Sequence, residues 1–329
     1  MASRYPVFDR DKLELLPLAR RAHDMDLGRL LAVGERPVPF AHEHLPAVAD
    51  AVAEAVRRGS AVVLLMGAHV IKQGLSRYVI DLIRRGWVSV VATNGACAIH
   101  DFELARIGAT TESVARYISE GQFGLWRETG ELNDIVRRGH AEGLGFGEAL
   151  GAHVAAAEDC PHKDASLFAA AYECGVPATV HIGVGYDIVH EHPSFDPAAA
   201  GAASYRDFLI FTKVMERLEG GVVLCFGTAV MGPEVYLKAL AMVRNVARRR
   251  GREVRHFTSA VFDLLALSGD LTAEAPKVSP EYYYRPYKTI LVRTVRDGGR
   301  SFYIRGDHRA TLPALHELLV QRMGAPGNR

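Results

Sequence analysis

Residues 60–100 read SAVVLLMGAHVIKQGLSRYVIDLIRRGWVSVVATNGACAIH, and two strand–turn–helix steps are packed into them. Ser60 to Met66 is a Val- and Leu-rich run that ends at Gly67. A run apolar at nearly every position suits a strand buried on both faces, as parallel sheets require. Gly74 to Arg85 follows, with Leu75, Val79, Leu82 and Ile83 at helical spacing. Val88 to Ala92 is the next predicted strand; it breaks at Thr93-Asn94-Gly95, and a helix is predicted from about His100.

The same unit recurs along the chain. Ala178 to Ile182 runs into Gly183-Val184-Gly185, and Gly221 to Phe226 into Gly227-Thr228. A weaker strand, Glu253 to Phe257, leads to Thr258-Ser259-Ala260. Helices are predicted over Ala165–Cys174, Ser204–Leu218 and Pro233–Arg250. Such alternation predicts an α/β fold with a doubly wound, mostly parallel, Rossmann-like sheet. With no internal repeat and no Pro- or Ser-rich linker, residues 46–329 read as one domain and 1–45 as an N-terminal extension. The stretch Gly143-Leu144-Gly145-Phe146-Gly147 reads as a loop or lid.

Composition narrows the function. The chain has 329 residues, 49% hydrophobic and 23% charged, the balance of a globular protein with a substantial core. Lys plus Arg number 39 and Asp plus Glu 38, which gives no electrostatic case for nucleic acid or an anionic membrane as main partner. The N-terminus lacks an apolar signal core, and Cys97, Cys160, Cys174 and Cys225 lack disulfide-framework or metal-finger spacing. A cytoplasmic protein with free thiols is expected.

In a doubly wound sheet, ligands bind beyond the carboxyl ends of the strands, so the turns are the informative places. Neither a Walker P-loop nor a strand followed by G-x-G-x-x-G is present. Small or hydroxylated residues nonetheless recur there, and they let backbone N–H groups approach a phosphate.

Five segments, in order, resemble the deoxyhypusine synthase family: residues 67–104, SLFAAAYECGVP at 166–177, GGVVLCFGTAVMGPEVYLK at 220–238, FTSAVFD at 257–263, and Tyr287-Lys288-Thr289-Ile290. The likeness spans about residues 55–320. It implies an NAD-binding fold, a homotetramer, and oxidation of a small amine to an imine, with transfer through a lysine Schiff base. On that resemblance Lys288 is the candidate nucleophile, and Gly67, His69, Thr93, Asn94, Gly95, Gly227, Thr228, Ser259 and Asp263 are candidate NAD-binding positions. Asn94-Gly95-Ala96…His100-Asp101 is also similar to a turn of the NAD-dependent ornithine cyclodeaminases of the LOR/SDH group, which implies amine oxidation followed by cyclisation. A catalytically silent NAD-binding protein is the remaining alternative.

Amine oxidation needs a base for the ammonium proton, and His100, Asp101, Asp187 and His190 are the candidates. His181, His190 and His192 cluster around the loop after a predicted strand, with Asp187, Glu191, Cys160 and His162 available in sequence. No H-E-x-x-H is present, so acid–base work is favoured and no metal is assigned.

Overall fold

A computed structural model describes residues 3–324. Its centre is a six-stranded sheet built from β1 (Val62–Met66), β2 (Val90–Thr93), β3 (Ala178–Val180), β4 (Val222–Phe226), β5 (Thr258–Asp263) and β6 (Arg300–Arg305). The spatial order is β3-β2-β1-β4-β5-β6, and every neighbouring pair is parallel. That is the doubly wound Rossmann order, with its reversal between β1 and β4. Val62 pairs with Val222 and Met66 with Phe226, so these two strands end level, at Gly67 and Gly227.

The strands alternate between two layers. Val62, Leu64 and Met66 face a core that also holds residues of α1 (Leu45–Arg58), α2 (Ser76–Arg84), α3 (Gly95–Ile107) and the last helix, α9 (His308–Met323). Val63 and Leu65 face the opposite core, shared with α7 (Pro197–Met215), α8 (Met231–Arg249) and the π-helical segment Pro286–Arg293. All five β1 side chains are buried, as predicted for a strand covered on both faces. Between β2 and β3 lie α4 (Glu131–Ala141), α5 (Phe146–Ala156) and α6 (Leu167–Glu173). Among the described residues no helix is long and apolar enough to cross a membrane.

Three expectations are corrected. The weak strand predicted at Glu253–Phe257 instead starts at Thr258, so Ser259 is an interior strand residue opposite Val223 and Ser301 rather than part of a turn. The helix expected from about His100 starts at Gly95, because the Asn94 side chain accepts from the Cys97 N–H and caps it. The glycine-rich run at 143–147 is a loop only through Gly145, and Phe146 and Gly147 already belong to α5: a Cβ on Gly147 would lie 1.7 Å from the carbonyl oxygen of Ala178, so glycine is what lets this helix close on β3.

Candidate functional site

Beyond the carboxyl ends of β1, β2 and β3 lies a cavity of about 220 Å³. Lys72 lines it from the short helix after β1, Ala96, Ile99 and His100 from the first turns of α3, and Tyr186, Asp187 and Ile188 from the loop after β3. Thr111, Glu112 and Phe123 close another side, and Arg21 arrives from the N-terminal segment.

The Asp187 carboxylate sits against the start of α3. A Cβ on Gly95 would fall 2.1 Å from Asp187 Oδ2, so only glycine leaves room for the acid. The Asp187 side chain is 3% exposed, and Oδ2 has no hydrogen-bond partner among the described residues. Burial pushes its pKa up to about 7. His190 Nδ1 accepts from the backbone N–H groups of Gly185 and Asp187, at 3.1 and 3.4 Å. The neutral ring therefore carries its proton on Nε2, which lies 3.9 Å from Asp187 Oδ2. Burial lowers the His190 pKa, which favours that neutral ring.

A buried ion pair braces the opposite wall. The Arg21 guanidinium donates to both oxygens of Glu103 at 2.9 and 2.7 Å, with each side chain 1% exposed. Thr110 and Thr129 hydroxyls donate to the same carboxylate, each at 2.6 Å. Burial opposes the Glu103 charge, but Arg21 and these hydrogen bonds outweigh it and hold the pKa below its usual value. His100 Nδ1 lies 2.7 Å from Thr110 Oγ1, and burial drops its pKa to about 4, so it is neutral at pH 7. Next to this network Thr111 adopts φ +64°. A β-branched residue in the left-handed region is strained, and such strain persists where surrounding structure over-determines it, often at functional sites.

Across the short helix His69–Lys72 is the β1/β4 reversal, the position of the ligand crevice in doubly wound sheets. Gly67 and Gly227 touch there: a Cβ on Gly67 would fall 2.2 Å from the Gly227 carbonyl oxygen. Gly227 has φ +61°, and a Cβ on it would lie 2.6 Å from His308 Nε2. His69 is exposed at the crevice, and His69 and Asp263 are close enough to bias the His308 charge. The rim is apolar, with Val184, Tyr186, Val230, Leu264 and Leu265 all exposed in loops that leave strand carboxyl ends. Buried polar atoms without partners concentrate at this edge too: Gln73 Oε1, Ser76 Oγ, Asp187 Oδ2, His308 Nδ1 and Thr311 Oγ1 are five of the eight among the described residues.

The sequence-predicted residues separate into four sets. Asp187, His190, His100 and Gly95 come together at the cavity, while Gly67, His69, Gly227 and Asp263 lie at the crevice. The polar side chains of Thr93, Asn94 and Thr228 are engaged by the protein itself: Thr93 donates to the Thr179 carbonyl, Asn94 caps α3, and Thr228 Oγ1 accepts from Gly232 N–H. Asp263 accepts from Tyr284 Oη at 2.5 Å.

Three residues lie elsewhere. Asp101 is fully buried, accepts from Ser166 Oγ and Leu167 N–H, and is pushed up to about 7 by burial; it holds the start of α6 and does not line the cavity. Ser259 donates to the Ile290 carbonyl inside the other layer. Lys288 belongs to the segment Pro286–Arg293 on the opposite face of the sheet from α3, with Nζ 3.4 Å from the Tyr282 ring centre. His100 and Lys288 are therefore not brought together.

The histidine cluster also divides. His181 Nε2 lies 2.9 Å from Thr179 Oγ1 and His192 Nε2 lies 2.8 Å from the Gly124 carbonyl oxygen, while His190 faces Asp187. Sequence reasoning missed Arg21, Lys72, Glu103, Thr111 and His308. Only His308 carried a local signal, Gly306-Asp307-His308 opening a helix with Asp307 as its cap.

No protein-family model matches the chain, and no curated protein does. Several solved structures match it. The ternary complex of AgrE with ornithine and NAD+ matches at 13% identity, TM-score 0.50, over 86% of this chain and 34% of AgrE. A LOR/SDH protein from Methanococcus maripaludis matches at 13% identity, TM-score 0.49, over 88% of this chain and 72% of that one. A structure described as deoxyhypusine synthase from Entamoeba histolytica matches at 7%, TM-score 0.46, over 86% and 91%. The chain thus spans about a third of the length of AgrE. At such identities the AgrE likeness shows a shared Rossmann-like fold.

Proposed function

We propose that this protein is an NAD-dependent enzyme that oxidises a small amine to an imine, with the amine held in the cavity beside Asp187. The observation that carries the reading is Asp187 itself, a buried carboxylate with an unpartnered oxygen at the cavity wall. An acid titrating near 7 accepts a proton at neutral pH far more readily than an ordinary aspartate. It would pair with the substrate ammonium and then take its proton, leaving the amine lone pair free to assist departure of the hydride. His190 Nε2–H faces the same carboxylate and would orient it. His100, held neutral, fits a hydrogen-bonding role better than that of principal base.

The crevice residues fit a dinucleotide. The strand order reverses there, His308 Nδ1 beside Gly227 is buried without a partner among the described residues, and exposed apolar side chains offer ring-packing surface. Gly67, His69, Gly227 and His308 would hold NAD, which when bound supplies the hydride acceptor. Asp263 and the backbone around Asn94 and Gly95 flank that position.

Lys72 favours a more specific reading. It lines the cavity and makes no ion pair among the described residues, so a substrate bearing a carboxylate as well as an ammonium finds both its charges answered. That is the amino-acid dehydrogenase or cyclodeaminase alternative, and ornithine is what AgrE holds with NAD+. Transfer through a lysine Schiff base needs an amine within reach of the imine. Lys72 meets that condition at the cavity, and Lys288 would need a route from the other layer.

Borohydride trapping with NAD and a panel of amines and amino acids tests these readings together. A substrate adduct on Lys72 or Lys288 supports transfer. Cofactor reduction without an adduct, read before borohydride is added because borohydride itself reduces NAD+, supports deamination or simple oxidation. Dinucleotide binding with no turnover on any amine supports the silent NAD-binding protein.

A further inference from the structure

On the outer side of the β2/β3 half, away from the cavity, three different ligand types meet. His153 is in the last turn of α5, and Asp159 and Cys160 follow in the next loop. One ligand atom from each lies within 4.8 Å of the other two. We propose that His153, Asp159 and Cys160 form a zinc-binding site.

The donor set suits the ion. Zinc is borderline in softness and takes thiolate, imidazole and carboxylate together, with water completing a tetrahedron. Zinc–ligand distances of about 2.0 to 2.3 Å put neighbouring donors roughly 3.5 Å apart, so the trio must contract by about 1 Å. Asp159 is exposed, so its carboxylate can exchange the Arg106 pairing for the ion, and it also marks the side from which an ion enters. The His153 ring makes no side-chain hydrogen bond among the described residues, leaving its nitrogens available.

The surrounding charge also favours a cation. Arg106 lies 2.5 Å from Asp159 Oδ2 and 3.3 Å from Glu131 Oε2, so one guanidinium serves two carboxylates. Glu131 is held above its usual pKa by burial, which Asp159 reinforces despite Arg106. A dication with the thiolate brings one net positive charge and relieves that excess. Binding releases the Cys160 thiol proton to solvent, so affinity rises with pH. The ion would fasten the end of α5 to the loop that leads to α6, beside Arg106 at the end of α3 and Glu131 at the start of α4. The site is independent of the catalytic reading.

The full-length protein, stripped with chelator, is titrated with Co²⁺ alone and then with Zn²⁺. The expected result is one ion per chain, a thiolate-to-cobalt charge-transfer band that zinc abolishes, and affinity rising about tenfold per pH unit as one proton is released. Cys160→Ser should abolish the band, and His153→Ala should weaken binding at least tenfold. If Cys160→Ser does not fold, His153→Ala, at a half-exposed position, carries the comparison. Absence of the band in the wild type, or unchanged affinity in folded His153→Ala, overturns the proposal and leaves Arg106 as the structural partner of Asp159.

Discussion

Replacing Asp187 by asparagine should stabilise the protein at alkaline pH while damaging its function. The Asp187 pKa is about 7 in the folded chain, against 3.8 for an unperturbed aspartate. The folded state therefore holds a proton that the unfolded state has already lost between those two values. Unfolding free energy falls as pH rises through that window and is flat above it. The whole penalty amounts to about 4 kcal/mol at 1.36 kcal/mol per pH unit. Asparagine removes it but brings amide N–H groups that also need partners, at a cost of about 1–3 kcal/mol. The expected net gain is about 2 kcal/mol at pH 8, disappearing or reversing at pH 4, where the aspartate is already neutral in the folded chain. Urea unfolding of both proteins at a series of pH values reads this directly. Asp101 and Asp207 are also raised to about 7 by burial, but both proteins carry them, so the difference curve isolates position 187. A stability difference independent of pH, or an Asp187→Asn variant that loses ground to the wild type between pH 4 and pH 8, would refute the claim that this carboxylate is buried without a charge partner.

Gly95→Leu should destabilise the fold by about 1–3 kcal/mol and abolish ligand-induced thermal shifts, because its Cβ overlaps the Asp187 carboxylate; normal dinucleotide and amine binding would show the turn is misassigned. Arg21→Ala leaves Glu103 buried without its counter-charge and should cost about 3–5 kcal/mol in chemical denaturation; a loss under about 1 kcal/mol, the worth of an exposed pair, would show that solvent reaches it. Lys72→Ala should raise KM for amino acids more than for amines lacking a carboxylate, and an equal effect on both removes the zwitterion reading. Light scattering should give a homotetramer, as the deoxyhypusine synthase resemblance implies, and a clean monomer at micromolar protein removes that expectation.

Four of the six strands were legible because they are apolar at nearly every position, as β1 and β4 show. The other two were obscured by chemistry. In β5, TSAVFD begins with two hydroxyl residues and ends in an acid, so it reads as a turn, although its Thr and Ser are buried and the Ser259 hydroxyl is satisfied by neighbouring backbone. In β6, RSFYIR is an edge strand with exposed arginines at both ends. Helices α4 and α5 were hidden by glycines at 139, 147 and 151, each of which serves close packing rather than a turn. At the site, Asp187, His190 and Gly95 were legible because they flank strand ends. The Arg21–Glu103 pair was not, since 82 positions separate residues whose charges are meaningful only once both are buried. His100 and Lys288 lie on segments packed in opposite layers of the sheet, a placement that sequence spacing does not reveal.

The central claim is that a dinucleotide in the β1/β4 crevice and an amine at Asp187 react together. The most direct measurement is the absorbance of reduced nicotinamide after mixing the protein with NAD+ and amino acids or small amines at about pH 8, beside an Asp187→Asn control. The account predicts reduced cofactor from the wild type and at least about a hundredfold less from the control, the span a positioned general base contributes. Equal turnover by the two proteins, or calorimetry showing that the wild type does not bind NAD+, would contradict it.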